Sequence, residues 1–209
     1  MKKTILLLLC LSLASSLFTG CHSTHAPTST TSPTVTAAED PTTTAPEIPT
    51  GTALGDKVPD LTFTGSDGDP ISLYSLLEEK QLVVLNFWFE DCPWCLREFP
   101  VMELTYQQYR ENVEILALNP FDPQEAVSAF PEAHSLSFPM LSCPQELPYA
   151  FGVSGYPTSV FIDREGTISL IIPGAVTDSN VFHKLFQVYT AEDYTSTVYP
   201  DINAFMESA

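Results

Sequence analysis

Positive charge is scarce in this chain: 8 lysines and arginines face 26 aspartates and glutamates across 209 residues, a net charge of −18. A surface of that sign repels phosphate backbones and anionic headgroups, which excludes nucleic-acid binding. Cysteine is scarce as well. Five cysteines make one close pair and scattered singles, not the spaced pairs of a disulfide framework. No second CxxC and no HxxxH accompanies that pair, so the full tetrahedral ligand set of zinc is not encoded. The one extended apolar run, Ile5 to Phe18 (ILLLLCLSLASSLF), is too short to cross a bilayer comfortably. Internal repeats are absent. What the chain does have is apolar material: 44% hydrophobic and only 16% charged residues, enough for a core and too much for a disordered chain.

Lys2 and Lys3 ahead of the apolar run give residues 1–20 the layout of a signal peptide. The run closes on Leu17-Phe18-Thr19-Gly20-Cys21, which resembles the cleavage box of bacterial lipoproteins, with Phe18 where leucine is commoner. The resemblance implies cleavage before Cys21, lipidation of that thiol, and a mature protein anchored to the membrane outside the cytoplasm. Each buried acyl methylene contributes ~0.8 kcal/mol, so more than one chain makes a stable anchor. Disulfides persist in that compartment. Residues 21–56 are dominated by Thr, Ser, Pro and Ala and cannot bury enough surface to offset their ordering entropy; they read as a tether. His22 and His25 lie within it and lack a third metal ligand.

Residues 57–190 carry the pattern of a folded domain. Leu61–Phe63 and Ile71–Leu73 alternate around a Gly65-Ser-Asp-Gly68 turn and predict a hairpin, with a short helix at Tyr74–Glu79. Leu82–Phe89 (LVVLNFWF) is a continuous apolar run, the mark of a strand covered on both faces. The pattern then predicts a helix from Pro93 to Arg110, a strand at Val113–Leu118 and a helix at Pro123–Phe130. A strand at Phe138–Leu141, a helix at Pro144–Phe151, strands at Thr158–Ile162 and Ile168–Ile172, and a closing helix at Ser179–Tyr189 complete it. The class is α/β, one mixed sheet flanked by helices. Residues 191–209 are acidic, contain no Lys or Arg, and are left unassigned.

Cys92-Pro93-Trp94-Cys95 stands directly after the buried strand, where a helix begins. Unsatisfied N–H groups and the helix dipole favour an anion there, so the first thiol ionises readily. Its thiolate can attack a disulfide, and the second cysteine, one turn on, can resolve the mixed disulfide. At about 100° per residue from Cys92, the apolar side chains Phe99, Met102, Tyr106 and Tyr109 cluster between about 260° and 340°. Cys95 lies inside that stripe and Cys92 at its wet edge, which predicts an exposed attacking thiol and a shielded resolving one. Glu98 borders the stripe, one turn beyond Cys95; on geometry alone it reads equally as a proton carrier or as a surface glutamate. Cys143 reads as an incidental free thiol in preference to a third redox group, and His134 and His183 as structural or surface residues.

Asn86-Phe-Trp-Phe-Glu-Asp-Cys-Pro-Trp-Cys95, Glu98-Phe-Pro100, Gly155-Tyr-Pro-Thr158 and Phe161-Ile-Asp-Arg-Glu-Gly166 together resemble the extracytoplasmic TlpA/ResA-type thioredoxin-like proteins, over roughly residues 57–189. The resemblance implies a thioredoxin-like fold with an N-terminal β-hairpin extension. It implies Cys92 as nucleophile, Cys95 as resolving thiol, Glu98 as the helix glutamate of that branch and Pro100 as the residue that kinks the helix. Pro157 becomes a cis-proline facing the disulfide, with the Tyr156 backbone pairing to the substrate chain and Trp94 beside it. No cofactor is implied beyond the Cys92–Cys95 disulfide. The implied partners are protein thiols and disulfides of the cell envelope, with electrons from a membrane thiol transporter. The chain departs from the pattern at Asn86, where cytosolic thioredoxins have a buried acid, and at Asp91, which replaces an aromatic. Asp91 can cap the helix, but with Glu90 it opposes thiolate formation. Two alternatives share the fold. A peroxiredoxin would carry Thr where Phe89 stands, and a copper-binding module would more often show CxxxC with a distant His.

Overall fold

The apolar run after residue 81 becomes the central strand of the sheet, and its alternation sets up both halves of the core. The computed structural model describes residues 50–208. The signal segment, Cys21, His22, His25 and the tether up to residue 49 lie outside the described residues. In chain order the elements are β1 (Thr62–Thr64), β2 (Pro70–Ser72), α1 (Leu73–Glu79), β3 (Leu82–Phe87), α2 (Pro93–Tyr109), β4 (Val113–Asn119) and α3 (Gln124–His134). There follow β5 (Met140–Ser142), α4 (Glu146–Ala150), β6 (Thr158–Asp163), β7 (Ile168–Pro173), α5 (Ser179–Tyr189) and α6 (Ile202–Ser208). The main sheet runs β5-β4-β3-β6-β7, and β1 pairs with β2 in a separate antiparallel hairpin. β3 is parallel to β4 and antiparallel to β6, so the sheet is mixed and β3 lies at its centre.

Every residue of β3 is buried. Leu82, Val84 and the following Trp88 face the cluster built with α2, α3 and α5, while Val83, Leu85 and Phe87 face the one built with α1 and the hairpin. Asn86 shares the side of Leu82 and Val84, so a polar amide is carried into the apolar layer beneath α2. Opposite it in register on β6 stands Ser159, also buried. Each fully buried large apolar side chain contributes roughly 1.5–3 kcal/mol, and Trp88, Phe99, Phe161, Phe182 and Phe186 form the bulk of the α2 side.

Several observed boundaries differ from the expected ones, among them β3, which stops at Phe87, and α4, which spans only Glu146–Ala150. α3 continues to His134 although Pro131 lies inside it, ending on Ser135 in the left-handed conformation at φ 55°. β5 begins two residues late because Pro139 has no N–H to donate to the ladder, though its carbonyl accepts from Ala117 N–H at 2.9 Å. The acidic segment after Thr190 packs onto the domain: Phe205 is wholly buried against Tyr189 and Tyr199, and Asp163 holds Tyr194 and Ser196 through their hydroxyls. The folded body also takes in the residues just before Lys57, where Gly55 N–H donates to Ile168 O at 2.8 Å.

Candidate active site

β3 delivers the chain to a tight turn at Phe89–Asp91, and α2 starts immediately after it. Cys92 is the N-cap of α2, extended at φ −84° and ψ 104°, and its sulfur accepts a hydrogen bond from Cys95 N–H at 3.2 Å. Pro93 occupies the first turn, where its missing N–H costs nothing. The two sulfurs are bonded at 2.12 Å with Cα atoms 5.3 Å apart. Asp91, expected as a cap, does not serve as one, because the cysteine sulfur takes that position. Nor is Cys92 exposed as the helical wheel predicts: it is 2% exposed and Cys95 0%. The wheel assumed helical geometry from residue 92, whereas Cys92 lies just outside the helix, and its sulfur is drawn inward by the bond to Cys95. Trp94 stays out, 54% exposed, with the Arg97 guanidinium 4.7 Å above its ring.

Glu98 is not a surface residue. It has no solvent exposure, and both carboxylate oxygens are held: Asn86 Nδ2 donates to Oε2 at 2.9 Å and Val176 N–H donates to Oε1 at 2.8 Å. Burial raises its pKa from 4.5 to about 7, against the opposing pull of those two donors. The same Asn86 amide donates to Ser159 Oγ at 2.9 Å, while its Oδ1 is buried without a partner. Glu98 is thus clamped by three stretches distant in sequence: α2 itself, the β3–β6 pair, and the segment before α5. Ser159 and Val176 went unnoticed in the sequence. Ser159 could have been found only from the β3–β6 register, and Val176 contributes a backbone group that no side-chain pattern announces.

The Tyr156–Pro157 bond is cis, and Pro157 is buried. Among the described residues, neither the N–H nor the C=O of Tyr156 is taken by another group, whereas Pro157 O accepts from Gly174 N–H at 2.8 Å. The Tyr156 ring meets Phe89 and Phe121 at 5.6 and 5.5 Å, and those two meet each other at 6.1 Å, all edge-on. Phe89 and Phe121 were also missed as parts of the site. Cys143 is a free thiol, half-buried among the hairpin-side core residues, and burial pushes it up to about 12. His134 stacks on Phe130 at 3.9 Å, and the Tyr109 hydroxyl lies 3.1 Å from His183 Nδ1. Among the described residues no group of three His, Cys, Asp or Glu side chains gathers as a metal site, and no helix is long and apolar enough to cross a membrane.

Residues 54–171, more than half of the chain, match the family described as AhpC/TSA. The chain belongs to the AhpC/TSA family. Its relatives include thiol-disulfide oxidoreductase ResA of Halalkalibacterium halodurans, 34% identical over 129 residues that span 61% of this chain and 72% of that protein. Thioredoxin-like protein YneN of Bacillus subtilis is 30% identical over 134 residues, 63% of this chain and 78% of that one. A crystal structure of a thiol:disulfide interchange protein, thioredoxin family protein from Chlorobium tepidum TLS, matches with a TM-score of 0.58 at 23% identity, covering 70% of this chain and 100% of that one. The fold of this AhpC/TSA member is therefore thioredoxin-like, and it is a thiol–disulfide oxidoreductase of the ResA type.

Proposed function

We propose that the protein exchanges disulfides with polypeptides of the cell envelope through Cys92 and Cys95, anchored to the membrane by lipid on Cys21. The observation that carries this reading is the bonded Cys92–Cys95 pair capping α2, with the unpaired backbone of Tyr156 and the cis-linked Pro157 completing the site. In the reduced protein the Cys92 thiolate attacks one sulfur of a substrate disulfide, and the other substrate sulfur leaves as thiolate and takes up a proton. Cys95 then loses its proton and attacks the Cys92 sulfur, which releases the second substrate thiol and leaves the protein disulfide. The substrate gains two electrons and two protons, and the protein dithiol supplies both. Glu98, one turn beyond Cys95 and poised to hold or yield a proton near neutrality, serves as the proton carrier for the resolving step. Trp94 and the backbone of Tyr156 receive the substrate chain. Electrons come from a membrane thiol transporter, as the family resemblance implies. A peroxidatic reading would want a threonine where Phe89 stands, and Phe89 instead packs against Tyr156.

The roles of the two cysteines are tested by trapping. Cys95→Ala should accumulate substrates as mixed disulfides through Cys92, visible on non-reducing gels of cells making the variant. Cys92→Ala should accumulate none. Equal trapping by both variants would remove the assignment.

A further inference from the structure

Resting on that exchange reading, the surface around the disulfide also says what kind of polypeptide it accepts. The rings of Phe89, Phe121 and Tyr156 make one apolar ledge, and Phe121 and Trp94 are 48% and 54% exposed. Cys92 N–H donates to Phe89 O at 3.2 Å, so a cysteine-bearing segment reacting at Cys92 passes beside this ledge. The charge beside the ledge is mostly negative. Glu90 and Asp91, both exposed, directly precede Cys92, and the Asp122 carboxylate accepts from Glu90 N–H at 2.7 Å. Arg97, a nearby cation, lies over Trp94. Among the described residues the single ion pair joins Arg164 to Glu165, so none of the three carboxylates is engaged in an ion pair. A second copy of this chain, or its own acidic tail, would bring more negative charge to the same place, since the whole chain carries −18.

We infer that the site selects polypeptide segments whose reactive cysteine is flanked by lysine or arginine. Carboxylates and exposed aromatic faces both attract such side chains, the first by Coulomb attraction and the second through the ring quadrupole. A further gain arises in the reaction itself. Glu90 and Asp91 directly precede Cys92, so their charge opposes the like charge of the attacking thiolate. A cation arriving with the substrate offsets that opposition at the moment the thiolate attacks, so the preference appears in the attack rate as well as in encounter.

The test uses the full-length reduced protein in detergent and three disulfide-bridged peptides of one length, flanked by Lys, Ser or Glu. Bis(2-hydroxyethyl) disulfide, small and uncharged, reports the exchange chemistry alone. Stopped-flow traces should rank the peptides Lys, Ser, Glu, with Lys over Glu about tenfold in low salt and the ratio approaching one in 0.5 M NaCl. Glu90→Gln combined with Asp91→Asn should shrink that ratio to about threefold or less. Equal rates for the Lys and Glu peptides in low salt would overturn the inference, as would a ratio untouched by the paired substitutions or a preference for the Ser peptide over both. Failure to react with bis(2-hydroxyethyl) disulfide would instead overturn the exchange activity itself.

Discussion

Holding a charge on Glu98 is costly for this fold near neutral pH. The carboxyl is sealed from solvent, and its only compensation is two N–H donors, from Asn86 and Val176. Its pKa therefore rises from 4.5 to about 7. Between those values the folded protein keeps a proton that the unfolded chain releases. The stability Glu98 contributes is thus fully present below pH 4.5 and is lost as pH rises through 7. The gap corresponds to about 3 kcal/mol in total, most of which falls between pH 5 and 8. Glu98→Gln keeps the shape and cannot ionise. Its amide offers one oxygen to two donors, so Asn86 must turn its unpartnered Oδ1 toward the new NH2 group, or one donor goes unmet. That adds an offset independent of pH. Urea unfolding of the oxidised protein at pH 5 and pH 8, wild type against Glu98→Gln, separates the two contributions. The difference should swing by about 2 to 3 kcal/mol in favour of the variant as pH rises. Parallel curves at the two pH values would refute the argument that burial sets the charge state of Glu98.

Four further outcomes are expected. Glu98→Gln should slow disulfide reduction about tenfold near neutral pH, less than a typical general base because water partly substitutes, with the defect shrinking toward pH 9; an unchanged profile of initial rates over pH 6–9 would leave the proton route to water alone. Cys143, pushed up to about 12 by burial, should react with iodoacetamide at pH 8 about 10³-fold more slowly than an unhindered cysteine, measured by mass spectrometry of the oxidised protein; a rate within tenfold would show the thiol to be accessible and ionisable. Phe205→Ala should cost about 3 kcal/mol in denaturant unfolding, the order expected for a wholly buried phenylalanine; no loss would mean that α6 is not part of the cooperative unit. Cys21→Ala should release the protein to the medium or leave it unprocessed, and normal lipid labelling of that variant would sink the anchor.

Much of the architecture could be read from the chain because the relevant signals are local. The β3 run is apolar at nearly every position, which only a doubly covered strand tolerates, and the α5 bounds at Ser179 and Tyr189 follow from Asp178 as cap and the apolar stripe behind it. The placement of Cys92-Pro93-Trp94-Cys95 at a helix start was legible for the same reason. What escaped depends on long-range packing. The depth of Glu98 is set by Asn86, Ser159 and Val176, which approach only once β6 pairs with β3 and the segment before α5 folds over α2. The tail after Thr190 carries no amphipathic period strong enough to predict α6. Its position comes from aromatic contacts with Tyr189, 6.1 Å for Phe205 and 5.3 Å for Tyr194, and from hydroxyls reaching Asp163.

The way both ends of the domain meet β7 has a bearing on how crowded copies of the protein behave. β7 is the last strand of the sheet, and an open strand of that kind offers its backbone as a template for any neighbouring chain. Here the template is already in use. Gly55 N–H and Asp56 O take the carbonyl and amide of Ile168, Lys57 bridges to Thr167, and Tyr199 N–H caps the carbonyl of Ser169 at 2.7 Å. The stretch entering the domain and the stretch leaving it therefore act as a selvage, sewn along one of the two margins of a sheet that runs from β5 to β7. Where copies of the protein meet at high local concentration, strand-by-strand coalescence between them is obstructed where β7 is covered.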